Sequence, residues 1–252
     1  MRIAEAFAGA AGRAALMPYL MGGYPDVDRS LAIGRAYVAG GADLIELGIP
    51  YSDPLADGPV VHAAGTAALA AGVRSDDVLA IGERLAPDVA VVVMTYVNVV
   101  LHHGPEAFAR RLADSGAAGL LVPDLPVEES AEIAAACAAA GIELAPFAAP
   151  TTTDERMAAI GAQARGFVYT VSTVGTTGER EALSVSELVA RVKAHTDVPV
   201  AVGFGIGTPD QVAAAAAEGA DGVIIGSRLV RAAGDGEDVE ALVRGFADAL
   251  AR

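Results

Sequence analysis

Four times in this sequence an alanine-rich stretch runs into a glycine, then one or two small or acidic residues, then a short apolar run. The instances are Gly41-Ala-Asp-Leu-Ile, Gly116-Ala-Ala-Gly-Leu-Leu, Gly141-Ile-Glu-Leu and Gly219-Ala-Asp-Gly-Val-Ile-Ile. A glycine just past a helix end takes the left-handed conformation that stops the helix. An apolar run without alternation is a strand covered on both faces, as in parallel sheets. The repeated unit is therefore helix, stop, buried parallel strand. That restricts the chain to α/β architectures made of βα units.

The same reading places strands near 16–20, 44–47, 89–94, 120–122, 143–146, 167–171, 200–202 and 223–225. Amphipathic helical stretches separate them, at 28–39, 75–85, 106–115, 128–140, 154–164, 186–193, 209–218 and 238–251. About eight βα units in roughly 250 residues is the arithmetic of a (β/α)8 TIM barrel, an open doubly wound sheet being the alternative. An extra helix (60–71) is expected after strand 2, and a short helix starting at Gly226-Ser227 after strand 8. No break in composition marks a second domain, so residues 1–252 are expected to form a single (β/α)8 barrel domain.

Composition narrows the partners. Lys and Arg number 17 against 32 Asp and Glu, a formal charge of −15. Nucleic acid and anionic membranes select a basic face, so neither is expected. An anionic substrate must then be held by local dipoles. The single cysteine, Cys137, lies in an alanine-rich helical stretch, where core packing and a reducing, cytoplasmic compartment are expected. The apolar run 89–101 is too short to span a membrane and contains Tyr96 and Asn98. His62, His102, His103 and His195 are scattered, and with one cysteine they give no zinc spacing, so no metal is expected.

Two constellations carry chemistry. Glu46 ends the second strand and opens the turn Leu-Gly-Ile-Pro50-Tyr-Ser-Asp-Pro-Leu55-Ala-Asp57-Gly-Pro59. The C-terminal rim of a parallel barrel is where reacting groups sit. Arg35 is the nearest cation in sequence, so simple ion pairing is the weaker reading of Glu46. Asp57 fits an ordinary Ala-Asp-Gly-Pro turn as well as a site. The second constellation is Gly203-Phe-Gly-Ile-Gly-Thr-Pro209 after strand seven, with Thr208 as a helix cap, together with Gly226-Ser227 after strand eight. Glycines at these turns let backbone N–H groups approach a phosphate, aided by the helix dipole. The spacing fits neither a P-loop nor a dinucleotide fingerprint. Tyr19, Tyr96, Tyr169 and Phe204 stand at predicted strand ends, as core or as walls for a flat apolar group. The long Gly/Thr-rich loop 172–181 rises on the same rim and reads as a lid.

With these residues in hand, the chain closely resembles the tryptophan synthase alpha chain family over nearly its whole length. ELGIPYSDPLADGP (46–59), VPDLPVEES (122–130), GFGIGTPDQV (203–212) and VIIGS (223–227) follow in the family order. The resemblance implies a lyase that cleaves indole-3-glycerol phosphate to indole and glyceraldehyde 3-phosphate by a retro-aldol step, the alpha reaction of tryptophan biosynthesis. It implies Glu46 as the acid/base group, Asp57 as acceptor of the indole N–H, and Tyr169 as an assisting catalytic residue. Gly178, Gly205, Gly226 and Ser227 would hold the phosphate, and Thr177 on the lid would meet the second carboxylate. Tyr19, Val61, Met94, Tyr96, Leu121, Phe204 and Ile224 would line the indole and glycerol pocket.

No cofactor is implied on this chain. Pyridoxal phosphate is expected only on a partner, the tryptophan synthase beta chain, in an α2β2 complex. Loops 50–59 and 172–184 and the segments around Asn98 and Pro126 would face it. The alternatives are a non-catalytic paralogue that activates a beta-type partner, and an isomerase of another phosphorylated metabolite. Several positions depart from the family pattern: Met21 and Tyr24 stand where Thr and Asp are common, Gly207 where Ser is frequent, and Arg228 where a small residue is usual. The lid, STVGTTG (172–178), lacks the valine often found before its final Thr-Gly.

Overall fold

A computed structural model describes residues 1–10, 12–171, 184–203 and 205–251. The first half runs α1 (Ile3–Gly9), β1 (Ala15–Met21), α2 (Val27–Ala39), β2 (Leu44–Gly48), α3 (Pro59–Ala70), α4 (Ser75–Leu85), β3 (Ala90–Met94), α5 (Val97–His103), α6 (Pro105–Asp114) and β4 (Gly119–Leu121). After a 3-10 turn at Val127–Glu129 come α7 (Ala131–Ala140), β5 (Glu143–Ala145), β6 (Phe147–Ala148), α8 (Asp154–Gln163) and β7 (Val168–Val171). The chain ends with α9 (Val185–Lys193), β8 (Val200–Gly203), α10 (Pro209–Ala217), β9 (Gly222–Ile225), α11 (Ser227–Asp235) and α12 (Val239–Leu250). The four junction glycines, Gly41, Gly116, Gly141 and Gly219, all have positive φ, and a strand begins within a few residues of each.

The strand segments are parallel in the order β5-β4-β3-β2-β1-β9-β8-β7-β6. The two ends of that order, β5 and β6, are separated only by Pro146; β5 lies within the expected strand 143–146, and β6 extends past its end. Proline has no N–H to give a ladder, so the strand breaks there and changes partner from β4 to β7. The Tyr169 N–H donates to the Pro146 carbonyl at 2.9 Å across the change. The nine segments thus form a nearly closed barrel rather than an open sheet.

Alternation along the strands sorts the core. Met17, Tyr19, Leu44, Val92, Met94, Leu121, Tyr169, Ala201 and Ile224 point inward and form one cluster in the barrel. Leu16, Leu20, Ile45, Leu47, Val91, Val93, Val223 and Ile225 point outward, under the helices. Each fully buried aliphatic side chain of this kind contributes about 1.5–3 kcal/mol. Two helices lie beyond the predicted ones. Helix α1 buries Ile3 against the barrel interior and sets Phe7 beside Phe167, with ring centroids 6.0 Å apart. The apolar run 89–101 divides into the buried strand β3 and helix α5, and hydropathy does not mark the boundary because α5 also begins with valines although only its Val100 is buried. The expected helices after strands 2 and 8 are α3 and α11. Among the described residues no helix is long and apolar enough to cross a membrane.

Candidate active site

The inward set of β2 ends with a charge. Leu44 packs inside the barrel, and the two-residue period carries Glu46 to the same face, in register with Tyr19 on β1 and Val92 on β3. Glu46 is only 4% exposed. Among the described residues it has no ion pair or hydrogen bond, so Arg35 does not neutralise it. Burial therefore favours the protonated acid, and the Asp57 charge adds to this, pushing the Glu46 carboxyl up to about 8. The phenols of Tyr19 and Tyr169 flank it. Burial first, then the neighbouring carboxylates, holds both well above the usual tyrosine range, so they stay neutral. Two glycines make room for these rings: a Cβ on Gly48 would overlap the Tyr19 hydroxyl, and one on Gly203 the Tyr169 hydroxyl.

Asp57 reaches the same space from the β2–α3 loop. Tyr96, at the end of β3, donates its hydroxyl to Asp57 Oδ1 at 2.8 Å and accepts from the Ala56 N–H at 3.1 Å. Tyr51 stacks on Tyr96 with centroids 5.2 Å apart, and Asn98 Nδ2 donates to the Tyr51 hydroxyl at 2.8 Å. A chain of contacts from α5 thus fixes the loop that carries Asp57. Burial pushes the Asp57 carboxyl above its usual range, opposed by the Tyr96 hydrogen bond and by His62. Sequence patterning marks Tyr96 as a wall residue. Its role behind Asp57, and the supporting Tyr51, depend on contacts across about 40 residues that no local pattern contains.

One cavity of about 800 Å³ takes in Tyr19, Glu46, Asp57, Val61, Met94, Tyr169, Gly205, Ile224, Gly226 and Ser227. Of the other expected residues, Tyr96 lies behind Asp57 and Leu121 is fully buried in the barrel interior below the cavity. Thr177, Gly178 and Phe204 lie outside the described residues. Phe147, which packs on Tyr169 at 4.7 Å, and Asp124 also line the cavity. Phe147 escapes notice in the sequence because the strand break at Pro146 hides its register.

The glycine turns form the opposite end. Thr208 caps α10, accepting from the Gln211 N–H at 3.3 Å, while Gln211 Oε1 accepts from Gly207 and Thr208 at 2.9 and 3.1 Å. Gly205 takes φ +74°, Gly226 caps α11 and Ser227 begins it. The first-turn N–H groups of a helix have no intrahelical partner and face whatever lies before it. Ser227 Oγ is 4.0 Å from where a Gly58 Cβ would stand, so the loop bearing Asp57 comes close to the start of α11. Two departures from the family pattern are neighbours here: a Cβ at Gly207 would lie in ordinary contact with the Arg228 Cβ, at 3.4 Å. Arg228 is turned away into a bidentate pair with Glu237, at 3.0 and 2.7 Å. Tyr24, another departure, lays its hydroxyl over Gly234 of α11, where any Cβ would overlap it. Among the described residues no cluster of three His, Cys, Asp or Glu side chains is placed to hold a metal ion.

Known proteins resemble this chain in sequence and fold. The tryptophan synthase alpha chain of Synechococcus elongatus is 48% identical over 223 residues, 87% of this chain and 84% of that relative. The one from Carboxydothermus hydrogenoformans is 48% identical over 235 residues, 91% and 88% of the two chains. A solved structure of Mycobacterium tuberculosis tryptophan synthase matches with a TM-score of 0.91 at 44% identity, covering 99% of this chain and 98% of that one. The family model described as tryptophan synthase alpha chain matches residues 6–248. On fold and sequence alike, the chain belongs to the tryptophan synthase alpha chain family.

Proposed function

We propose that Glu46 and Asp57 are the groups with which this family member carries out the alpha reaction, cleavage of indole-3-glycerol phosphate to indole and glyceraldehyde 3-phosphate. The observation that carries the proposal is a buried carboxyl free of any described ion pair, facing a second carboxylate in the cavity that ends at the glycine turns. With its carboxyl at about 8, Glu46 starts protonated at neutral pH. It gives its proton to the ring carbon that bears the side chain, making the ring a leaving group. The carbon–carbon bond then breaks as the adjacent hydroxyl becomes the aldehyde, and the Glu46 carboxylate takes the proton from that hydroxyl. The proton count closes, with Glu46 again protonated.

Asp57, oriented by Tyr96, accepts from the indole N–H and stabilises the positive charge that protonation puts on the ring. Tyr169 packs beside Glu46 and positions the reacting carbon, with Tyr19, Val61, Met94 and Ile224 shaping the apolar wall. Gly205, Gly226 and Ser227 hold the phosphate, and residues 1–252 work as a single barrel domain. Asp57→Asn keeps the shape but loses the charge, and it should lower kcat by about 10²-fold or more. Indole release from indole-3-glycerol phosphate by the isolated chain separates this reading from both alternatives. A paralogue or an isomerase would release none.

The partner follows from the family: a tryptophan synthase beta chain, which holds the pyridoxal phosphate, in an α2β2 assembly. Leu55, 78% exposed on the β2–α3 loop, and Leu101, 54% exposed on α5, support the expected contact face. Complex mass and rate enhancement on mixing with a beta chain test the assembly.

A further inference from the structure

Three arginines line the cavity: Arg156, Arg228 and Arg231. Two of them are already paired. Arg156 is held by Glu128, Nε to Oε1 at 2.8 Å, and Arg228 is held by Glu237. Arg231 has no ion pair among the described residues. The carboxylate that feels its charge, Glu237, is occupied by both terminal nitrogens of Arg228. Arg231 stands one helical turn after Ser227 on α11, and long side chains on a helix lean back toward its N-terminus. Leu229, Val230 and Ala232 are buried and anchor the helix, so Arg231 is presented from a fixed support at the rim of the phosphate corner. The surroundings give the position weight. In a chain of net charge −15, a phosphate dianion meets a repulsive field, which an unpaired guanidinium lining the same cavity as Ser227 opposes locally.

We infer that Arg231 is a phosphate-capture residue, which draws in the phosphate of the substrate and clamps it against the first turn of α11. The inference rests on the proposed placement of the phosphate at Gly226 and Ser227. It sets Arg231 apart from Arg228, whose charge is spent on Glu237. It also divides the labour: backbone N–H groups supply geometry, and Arg231 supplies the charge that they lack.

The test is calorimetric titration of the full-length chain with glycerol 3-phosphate and with inorganic phosphate, alongside steady-state indole release. In Arg231→Gln the affinity for both phosphates should fall about 3- to 10-fold, the size expected for losing one charge-assisted contact at an exposed site. KM should rise by a similar factor while kcat stays within about twofold, because the clamp acts equally on ground and transition states. Arg231→Lys should recover most of the affinity, and the salt dependence of KM should flatten in Arg231→Gln. A purely structural role would not produce this split between KM and kcat or the rescue by lysine. Phosphate affinity and KM both within about twofold of wild type in Arg231→Gln would overturn the inference. Should Arg231→Gln not fold, Arg231→Met takes its place in the same titrations. If wild type binds phosphate through Arg231 yet releases no indole, the lyase reading fails and this inference stands.

Discussion

Glu46 and Asp57 face one cavity, and burial raises both carboxyls, but only one of them has a donor. Glu46 is sealed within the barrel with no donor to hold its charge, whereas Asp57 sits half-buried and receives the Tyr96 hydroxyl. Two consequences can be measured. A carboxyl kept protonated by the fold binds its proton more tightly folded than unfolded, so it removes stability as pH rises from about 4.5, its ordinary value, to about 8. Glu46→Gln lacks that penalty. Its melting temperature should match wild type at the acid end of this window and pull ahead toward pH 8; a gap that does not change with pH would show that the fold does not hold the proton. The second concerns Tyr96→Phe. Removing the hydroxyl takes away the bond that lowers the Asp57 carboxyl, so the acid limb of the kcat–pH profile should move to higher pH. An unmoved limb in that variant would detach Tyr96 from Asp57's role.

At the level of elements, legibility follows the range of the interactions. The helix-to-strand junctions can be read because one glycine with positive φ encodes each of them locally. Glu46 can be read because the two-residue period and the strand end are local too. The change of partner at Pro146, the plug made by α1, and the Tyr51–Tyr96 stack belong to tertiary pairing, and no spacing in the sequence announces them. Gly207 and Arg228 show the same limit. Apart in sequence they look like two unrelated departures; in the fold they are neighbours at ordinary contact distance. Gly207→Ser should therefore change stability by no more than about 0.5 kcal/mol in denaturant unfolding. A loss of about 2 kcal/mol or more would show that the space beside Arg228 is closed.

Taken as a whole molecule, the barrel brings two unlike ends into one cavity. Glu46 and Asp57 rise from β2 and its loop, and the glycine turns line the cavity after β8 and β9, with β9 separated from β2 by β1 alone. Gly58, next to Asp57, is the point of that loop nearest Ser227, with room for no more than a methyl group between them. The exposed Leu55 lies on the same loop, two residues from Asp57. The central claim is that Glu46 carries the proton for carbon–carbon cleavage. It is tested most directly by indole release from indole-3-glycerol phosphate, with wild type and Glu46→Gln assayed side by side at saturating substrate. Wild type should release indole, and the variant should turn over at least about 10²-fold more slowly with its substrate affinity retained. Near-wild-type turnover in Glu46→Gln would contradict the account.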